Sequence, residues 1–309
     1  EPEEKIRPWL RWAWWGFWGA MGMWLFLAAC FVSIEYYDGM DSILVARYLL
    51  GEIPDYTSTR GPLMGLLLLP AEWIKQSNHQ AHPLDFTLHH LTMGVLHVLY
   101  LVGIVRIVRS RFGAGWPVWL ALVSAVPTFM FFTYGPFVSH DILPGVFFLG
   151  MLHFADRFHR DGDWKSLVWL GVLGAAVALI KHTYALFFVL VVGAAVIRWL
   201  VKESSIRRLG LLLGSAALAG AVVYLVLCSV THTVFPNDPW ILRGWRQTHY
   251  LFFDATGENT PHQPWWVYIR NFPAYGFAAM VLIGPAIAWA LKKGDAFQRS
   301  VAGSWVFTV

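Results

Sequence analysis

"LMGLLLLPAEWI", residues 63–74, is too short to cross a bilayer and too apolar for an ordinary loop, and the topology of the chain turns on it. A crossing helix needs about 20 predominantly apolar residues. This run has little more than half of that, with Pro70 inside it. It therefore reads as an interfacial or re-entrant helix rather than a span, since broken backbone at membrane depth must be covered by protein.

The rest of the sequence explains why such a choice arises. Hydrophobic residues make up 57% and charged residues only 14% of the 309, with a mean hydropathy of +0.51. Soluble domains carry about 25% charged residues, so this chain is expected to be an integral membrane protein. Its 18 Trp and 11 Tyr suit many helix ends at the membrane interface. The length rule predicts an all-α, polytopic fold with about eight spans, near 12–34, 84–106, 115–135, 140–157, 164–181, 183–201, 209–231 and 269–291. A last apolar run from Ala302 is too short to span, so the chain is expected to end inside a helix, as part of something longer. Cys30 and Cys228 both lie in apolar runs and give no disulfide framework or metal-thiolate site.

The basic residues decide the reading of 63–74. They cluster at Lys5/Arg7/Arg11, Arg106/Arg109/Arg111, Arg157/Arg160/Lys165, Arg198/Lys202/Arg207/Arg208 and Lys292/Lys293. If 63–74 does not cross, all five clusters share one face; if it crosses, the first opposes the rest. The positive-inside rule selects the non-crossing topology, with a cytoplasmic N-terminus. The net charge of +4 is thereby explained by topology, and a nucleic-acid partner is not implied. The opposite face receives residues 35–83, 135–144, 180–184 and 232–268, which hold most of the polar residues without a topological role. No inverted repeat or pair of broken helices suggests a transporter.

In the first outward loop, "EYYDGMDSILVARYLLGEIPDYTSTRGP" (35–62), apolar residues at 43, 44, 46, 49 and 50 predict a short surface helix. Gly51 closes it and Pro54 prevents its restart. Asp38 has two readings: a helix cap with Asp41 completing it, or a carboxylate at the membrane surface, serving as general base or divalent-cation ligand. Asp41 and Tyr56 are candidate substrate contacts in the same loop. Arg60 is either a snorkelling anchor or a guanidinium held for a phosphate or carboxylate. His140 and Asp141, with Pro144 after them, either cap a helix or contribute a functional acid. Lys181 and His182 stand on the face where the positive-inside rule disfavours cations, which favours anion binding. The loop 232–268, rich in aromatic residues, is expected to pack on the membrane surface as a lid or substrate wall. His89, His90 and His97 fall in one predicted helix, where they are haem or pigment ligands or buried histidines satisfied by neighbours.

These motifs, in this order and on one face, resemble the GT-C superfamily of membrane glycosyltransferases, which includes protein O-mannosyltransferases and the aminoarabinose transferase of lipid A. The family's first outward loop carries an acid at the end of helix one, then a run like A-R-x-L-L-x-G, then Pro-Pro-Leu. "DGMDSILVARYLLG" followed by "RGPL" is similar, with one residue fewer before Gly51. "SHDILPG" and "IKHTYAL" are similar to later family features, and the resemblance spans roughly residues 10–290. Many members have a second acid directly after the first, and here that position is Gly39.

The resemblance implies a sugar donor on a polyprenyl phosphate and a lipid, glycan or protein acceptor. Asp38 would be the general base of an inverting transfer. Arg60, Lys181 and His182 would neutralise the leaving phosphate, and His140 with Asp141 would position the acceptor or a divalent cation. The expectation is a single transmembrane domain over 1–309 in the bacterial inner (plasma) membrane, in contact with membrane lipids. The alternatives are a non-catalytic subunit working with other membrane subunits, and a haem- or pigment-binding subunit.

Overall fold

A computed structural model describes residues 8–32, 35, 37–54, 62–78, 82, 85–126, 137–138, 142–180, 189, 191–231 and 277–308. Among them the secondary structure is helical throughout. The helices are α1 (Pro8–Phe31), α2 (Tyr37–Leu49), α3 (Pro62–Ser77), α4 (Thr87–Phe112), α5 (Trp116–Ala125), α6 (Ile142–Asp161), α7 (Trp164–Ile180), α8 (Ala194–Lys202), α9 (Ile206–Thr231), α10 (Phe277–Lys293) and α11 (Ala296–Thr308). Within α1, α4 and α9 the segments Arg11–Phe31, Thr87–Phe112 and Ile206–Val226 are long and apolar enough to cross a membrane, and α7 is a shorter apolar helix. Leu218 and Leu225 of α9 are about two-thirds exposed, as side chains facing lipid are. This is an all-α integral membrane protein.

Local sequence sets the helix ends. α2 closes as expected at Gly51, whose φ of 77° is open to glycine at no steric cost. Gly51 N–H donates to the Tyr48 carbonyl and Glu52 N–H to the Arg47 carbonyl, both at 3.0 Å, the paired bonds of a Schellman ending. α6 ends at Gly162, with φ 65°. Asp163 then caps α7, accepting from the Lys165 N–H at 3.0 Å and the Ser166 hydroxyl at 3.3 Å. Asp295 caps α11 reciprocally with Gln298: the Gln298 N–H donates to Asp295 at 2.8 Å, and the Asp295 N–H to the Gln298 amide oxygen at 3.0 Å.

Among the described residues four apolar clusters hold the bundle, the smallest around Val45 and Leu49 of α2. α1, α4 and α5 meet through Met21, Leu25, Leu101, Val105, Val118 and Leu122. α6, α7, α8, α9 and α11 meet around Phe158, Leu167, Leu170, Val196, Leu212 and Phe297. α7 and α9 approach closely at Gly171, where a Cβ would strike the Ser215 hydroxyl and the Leu212 carbonyl oxygen. The remaining cluster joins α2 and α3 to α4, the start of α6 and the end of α7.

Side-chain contacts at the two ends of the bundle show which helix ends lie together. At one end Glu35, just after α1, meets His90 in the first turn of α4 and the N–H of Val138, just before α6. At the other, Arg111 in the last turn of α4 pairs with Asp156 near the end of α6 and with Asp295 between α10 and α11. Asp156 also pairs with Arg160 at 3.0 Å. Glu35 and His90, which bracket the run 63–74, thus lie at the same end of the bundle. That run lies in α3, whose 16 residues span about 24 Å at 1.5 Å each, short of the roughly 30 Å hydrocarbon core.

Candidate functional site

The end of the bundle that carries Glu35 and His90 gathers segments that are distant in sequence. Its cluster contains Ile43 and Ala46 of α2, Met64 and Leu68 of α3, Phe86, Met93 and Leu96 around the start of α4, Val138 and Leu143 at the entrance to α6, and Ile180, the last residue of α7. Three of the four segments assigned to the outer face by charge therefore meet in one place. The fourth, 232–268, lies outside the described residues.

Each predicted site residue can be set against this frame. Asp38 falls in the first turn of α2, where a carboxylate is favoured by the helix dipole; its side chain lies outside the described part of the structure. Asp41, one turn further along α2, is half-buried. Tyr56 and Arg60, in the connection from α2 to α3, lie outside the described residues, as do His140, Asp141, Lys181 and His182. What the structure does bring together are their described neighbours along the chain: Gly39 beside Asp38, Ile142 and Leu143 beside Asp141, and Ile180 beside Lys181.

The sequence reading missed Glu35. Its carboxylate is fully buried, and one oxygen, Oε2, accepts from His90 Nε2 at 2.9 Å and from the Val138 N–H at 3.0 Å. Gly39 makes room for it. A Cβ on Gly39 would collide with Glu35 Oε1 and would sit 2.7 Å from both Glu35 Cδ and the Val138 carbonyl oxygen. The signal was present in the sequence: a charged residue at the inner edge of an apolar run, followed four residues later by a glycine inside a helix. A helical glycine is unfavourable by about 1 kcal/mol and so wants a packing reason.

A second buried carboxylate lies on α3. Glu72, only 2% exposed, sits 3.1 Å from His89 Nε2 on α4 and 3.3 Å from Arg47 Nε on α2. Burial pushes the Glu72 carboxyl up, but the His89 ring and the charges of Arg47 and Lys75 outweigh it, and the group lies below its ordinary range. Lys75 lies over the Phe86 ring at 5.1 Å, and burial holds its ammonium below the usual lysine range. Asp85, just before α4, lies low because it accepts from the Thr87 N–H at 3.0 Å.

His89 and His90 are therefore the α4 anchors for two acidic partners, one on α3 and one after α1. His97 lies further down α4, with Nδ1 donating to the Met93 carbonyl at 2.8 Å. Of the three histidines weighed as haem or pigment ligands, His90 and His97 each have a ring nitrogen hydrogen-bonded within the chain, and His89 Nε2 lies 3.1 Å from Glu72. Among the described residues no three His, Cys, Asp or Glu side chains gather as a metal site would need.

Residues 90–232 match the family described as dolichyl-phosphate-mannose-protein mannosyltransferase. That is a GT-C-type family of membrane glycosyltransferases, and the match supports the resemblance drawn from the motifs. It covers somewhat less than half of the chain and begins at His90, so the loop carrying Asp38 precedes it. No curated protein and no solved structure matches the chain.

Proposed function

We propose that this chain, whose residues 90–232 are similar to a GT-C glycosyltransferase family, moves a sugar from a polyprenyl-phosphate donor to an acceptor at the outer membrane face. The observation that carries the reading is the meeting of α2, α3, the entrance to α6 and the end of α7 in one outward cluster. Asp38, Asp141 and Lys181 each border a described residue of that cap in the sequence. The donor's tail stays in lipid while its phosphate and sugar reach this cap.

In this mechanism Asp38 takes the proton from the acceptor nucleophile as it attacks the anomeric carbon. The carbon–oxygen bond to the phosphate breaks on the opposite side, which inverts the centre. General-base assistance of this kind is typically worth about 10²–10⁴-fold. Arg60, Lys181 and His182 stabilise the leaving phosphate, whose charge grows in the transition state. Asp41, Tyr56, His140 and Asp141 contact the sugar or the acceptor, the last two also being candidate ligands for a divalent cation. The whole chain forms one transmembrane domain with its N-terminus in the cytoplasm of a bacterial inner membrane.

The test is transfer of labelled sugar from polyprenyl-phosphate donors in proteoliposomes. Asp38→Asn, inserted and folded as the wild type is, is expected to lose turnover by 10²-fold or more. Full turnover in that variant removes Asp38 as the base.

A further inference from the structure

Glu35 and His90 make a joint whose chemistry is unusual for its surroundings. Both side chains are fully buried, at the apolar cluster that includes Phe86, Met93, Val138 and Leu143. The His90 ring centre is 6.2 Å from that of Phe86 and 6.2 Å from that of Phe137, and among the described residues its Nδ1 has no hydrogen-bond partner. A buried hydrogen bond is worth only about 0.5–1.5 kcal/mol net, and apolar side chains of the same volume are often as stabilising. An unpartnered buried nitrogen costs a further about 1–3 kcal/mol. Cohesion alone would be better served by leucine and phenylalanine.

What the pair supplies instead is direction. One oxygen, Glu35 Oε2, accepts two bonds at 2.9 and 3.0 Å from different elements. These bonds fix where α2 starts relative to α4 and to the segment entering α6. Asp38 follows Glu35 by three residues, and Asp141 follows Val138 by three. Gly39, where many GT-C members carry a second acid, is the residue that lets the Glu35 carboxylate into this seat.

We infer that Glu35 and His90 are positioning residues of the outward site. Their pair sets the first turn of α2 against α4 and the entrance to α6, and so sets Asp38 in line with the donor. The inference rests on the glycosyltransferase reading for its functional part, while its geometric part stands separately.

The experiment compares Glu35→Leu and His90→Phe, which keep volume and remove the bonds, with Glu35→Gln and His90→Gln, which keep an acceptor and a donor. Turnover with a polyprenyl-phosphate sugar is measured alongside amide exchange at Val138 on the same reconstituted proteins. A misplacement of about 1 Å at a catalytic group can reduce turnover about 10²-fold. The apolar variants should therefore lose kcat on that scale with the donor KM within twofold, and the two Gln variants should regain at least tenfold of the loss. Val138 exchange should quicken in Glu35→Leu while amides in α7 stay protected. Folded apolar variants with kcat within twofold of wild type overturn the positioning role, and so does a rise in KM at constant kcat. Unchanged Val138 exchange overturns the geometric tie. Absence of turnover in the wild type removes the glycosyltransferase reading instead, and Val138 exchange still judges the pair.

Discussion

Gly39→Ala is the substitution that most sharply tests the outward joint, because two effects of opposite sign compete at one helical position. In an open helix interior the change from glycine to alanine is favourable by about 1 kcal/mol. Here the new Cβ would collide with Glu35 Oε1 and lie 2.7 Å from the Val138 carbonyl oxygen. The contact is with a carboxylate held from two sides, by His90 and Val138, rather than with the loose end of a flexible chain. Glu35 must leave its seat, and the two donors it meets, His90 Nε2 and the Val138 N–H, each cost about 1–3 kcal/mol when left buried and unmet. Set against the gain of about 1 kcal/mol, the net expectation is a destabilisation of about 1–5 kcal/mol, read as a shift of the unfolding midpoint in detergent micelles. Gly19→Ala in α1 is the control, since nothing lies within 4 Å of a Cβ there; it should be neutral or slightly stabilising. The double variant Gly39→Ala with Glu35→Ala should fall short of the sum of the single effects, because the clash and the lost pair share one carboxylate. A Gly39→Ala protein as stable as wild type would refute the seat of Glu35.

Other outcomes follow from the same geometry. Gly171→Val should separate α7 from α9 and lower the unfolding midpoint by the equivalent of about 1–3 kcal/mol, because its Cβ strikes the Ser215 hydroxyl and the Leu212 carbonyl; an unchanged midpoint would deny the close crossing. Asp295→Ala should remove the cap of α11, costing about 1 kcal/mol, while sugar transfer per folded molecule stays at the wild-type level, since this residue sits at the opposite end of the bundle. Acid should loosen the outward helices first. Glu72 lies below its ordinary value of 4.5, so its contribution is complete above that value and is lost as the pH falls through the lower folded-state value. Amide exchange of α2 and α3 should quicken below about pH 4.5 ahead of α7, and Glu72→Gln should flatten that dependence.

Much of this fold was legible because membrane helices announce themselves by length and because basic residues mark one face. The short α2 with its Gly51 ending and the half-length α3 both follow from local chemistry: the left-handed turn only glycine takes freely, and an apolar run too short to span. The α11 cap formed by Asp295 and Gln298 could have been read from the Asp-x-x-Gln spacing. The joint at Glu35 could not be read as a contact. Its partners are 55 and 103 residues away, and nothing in a linear sequence tells which histidine a buried glutamate will meet. The same holds for Glu72, whose partners Arg47 and His89 lie 25 and 17 residues away in the chain. Asp38, Arg60, Asp141 and Lys181 were chosen because their sidedness was shared. The structure brings together the described chain neighbours of Asp38, Asp141 and Lys181, and Asp38→Asn judges the first of these side chains.

The contact between Glu35 and His90 also carries the topology. Charge asymmetry argued that 63–74 does not cross, but that argument weighed one N-terminal cluster against four others. A 2.9 Å bond between the residue leaving α1 and the first turn of α4 argues the same point by a different route, because the two ends of the intervening segment then share a face. It follows that α1 and α4 run in opposite directions, and that α4 and α6, joined at both ends by Glu35 with Val138 and by Arg111 with Asp156, run in the same one. Two parallel helices tied at both ends make a rigid strut, and α2 is fastened to its outward end. Cutting that fastening at Glu35 while sparing the inner tie at Arg111 should therefore loosen the entrance to α6 without loosening its exit. In Glu35→Leu, amides near Val138 should exchange faster while those near Asp156 keep their protection. Equal loss at both ends would mean that the strut unfolds as one piece and that the joint sets stability rather than the aim of Asp38.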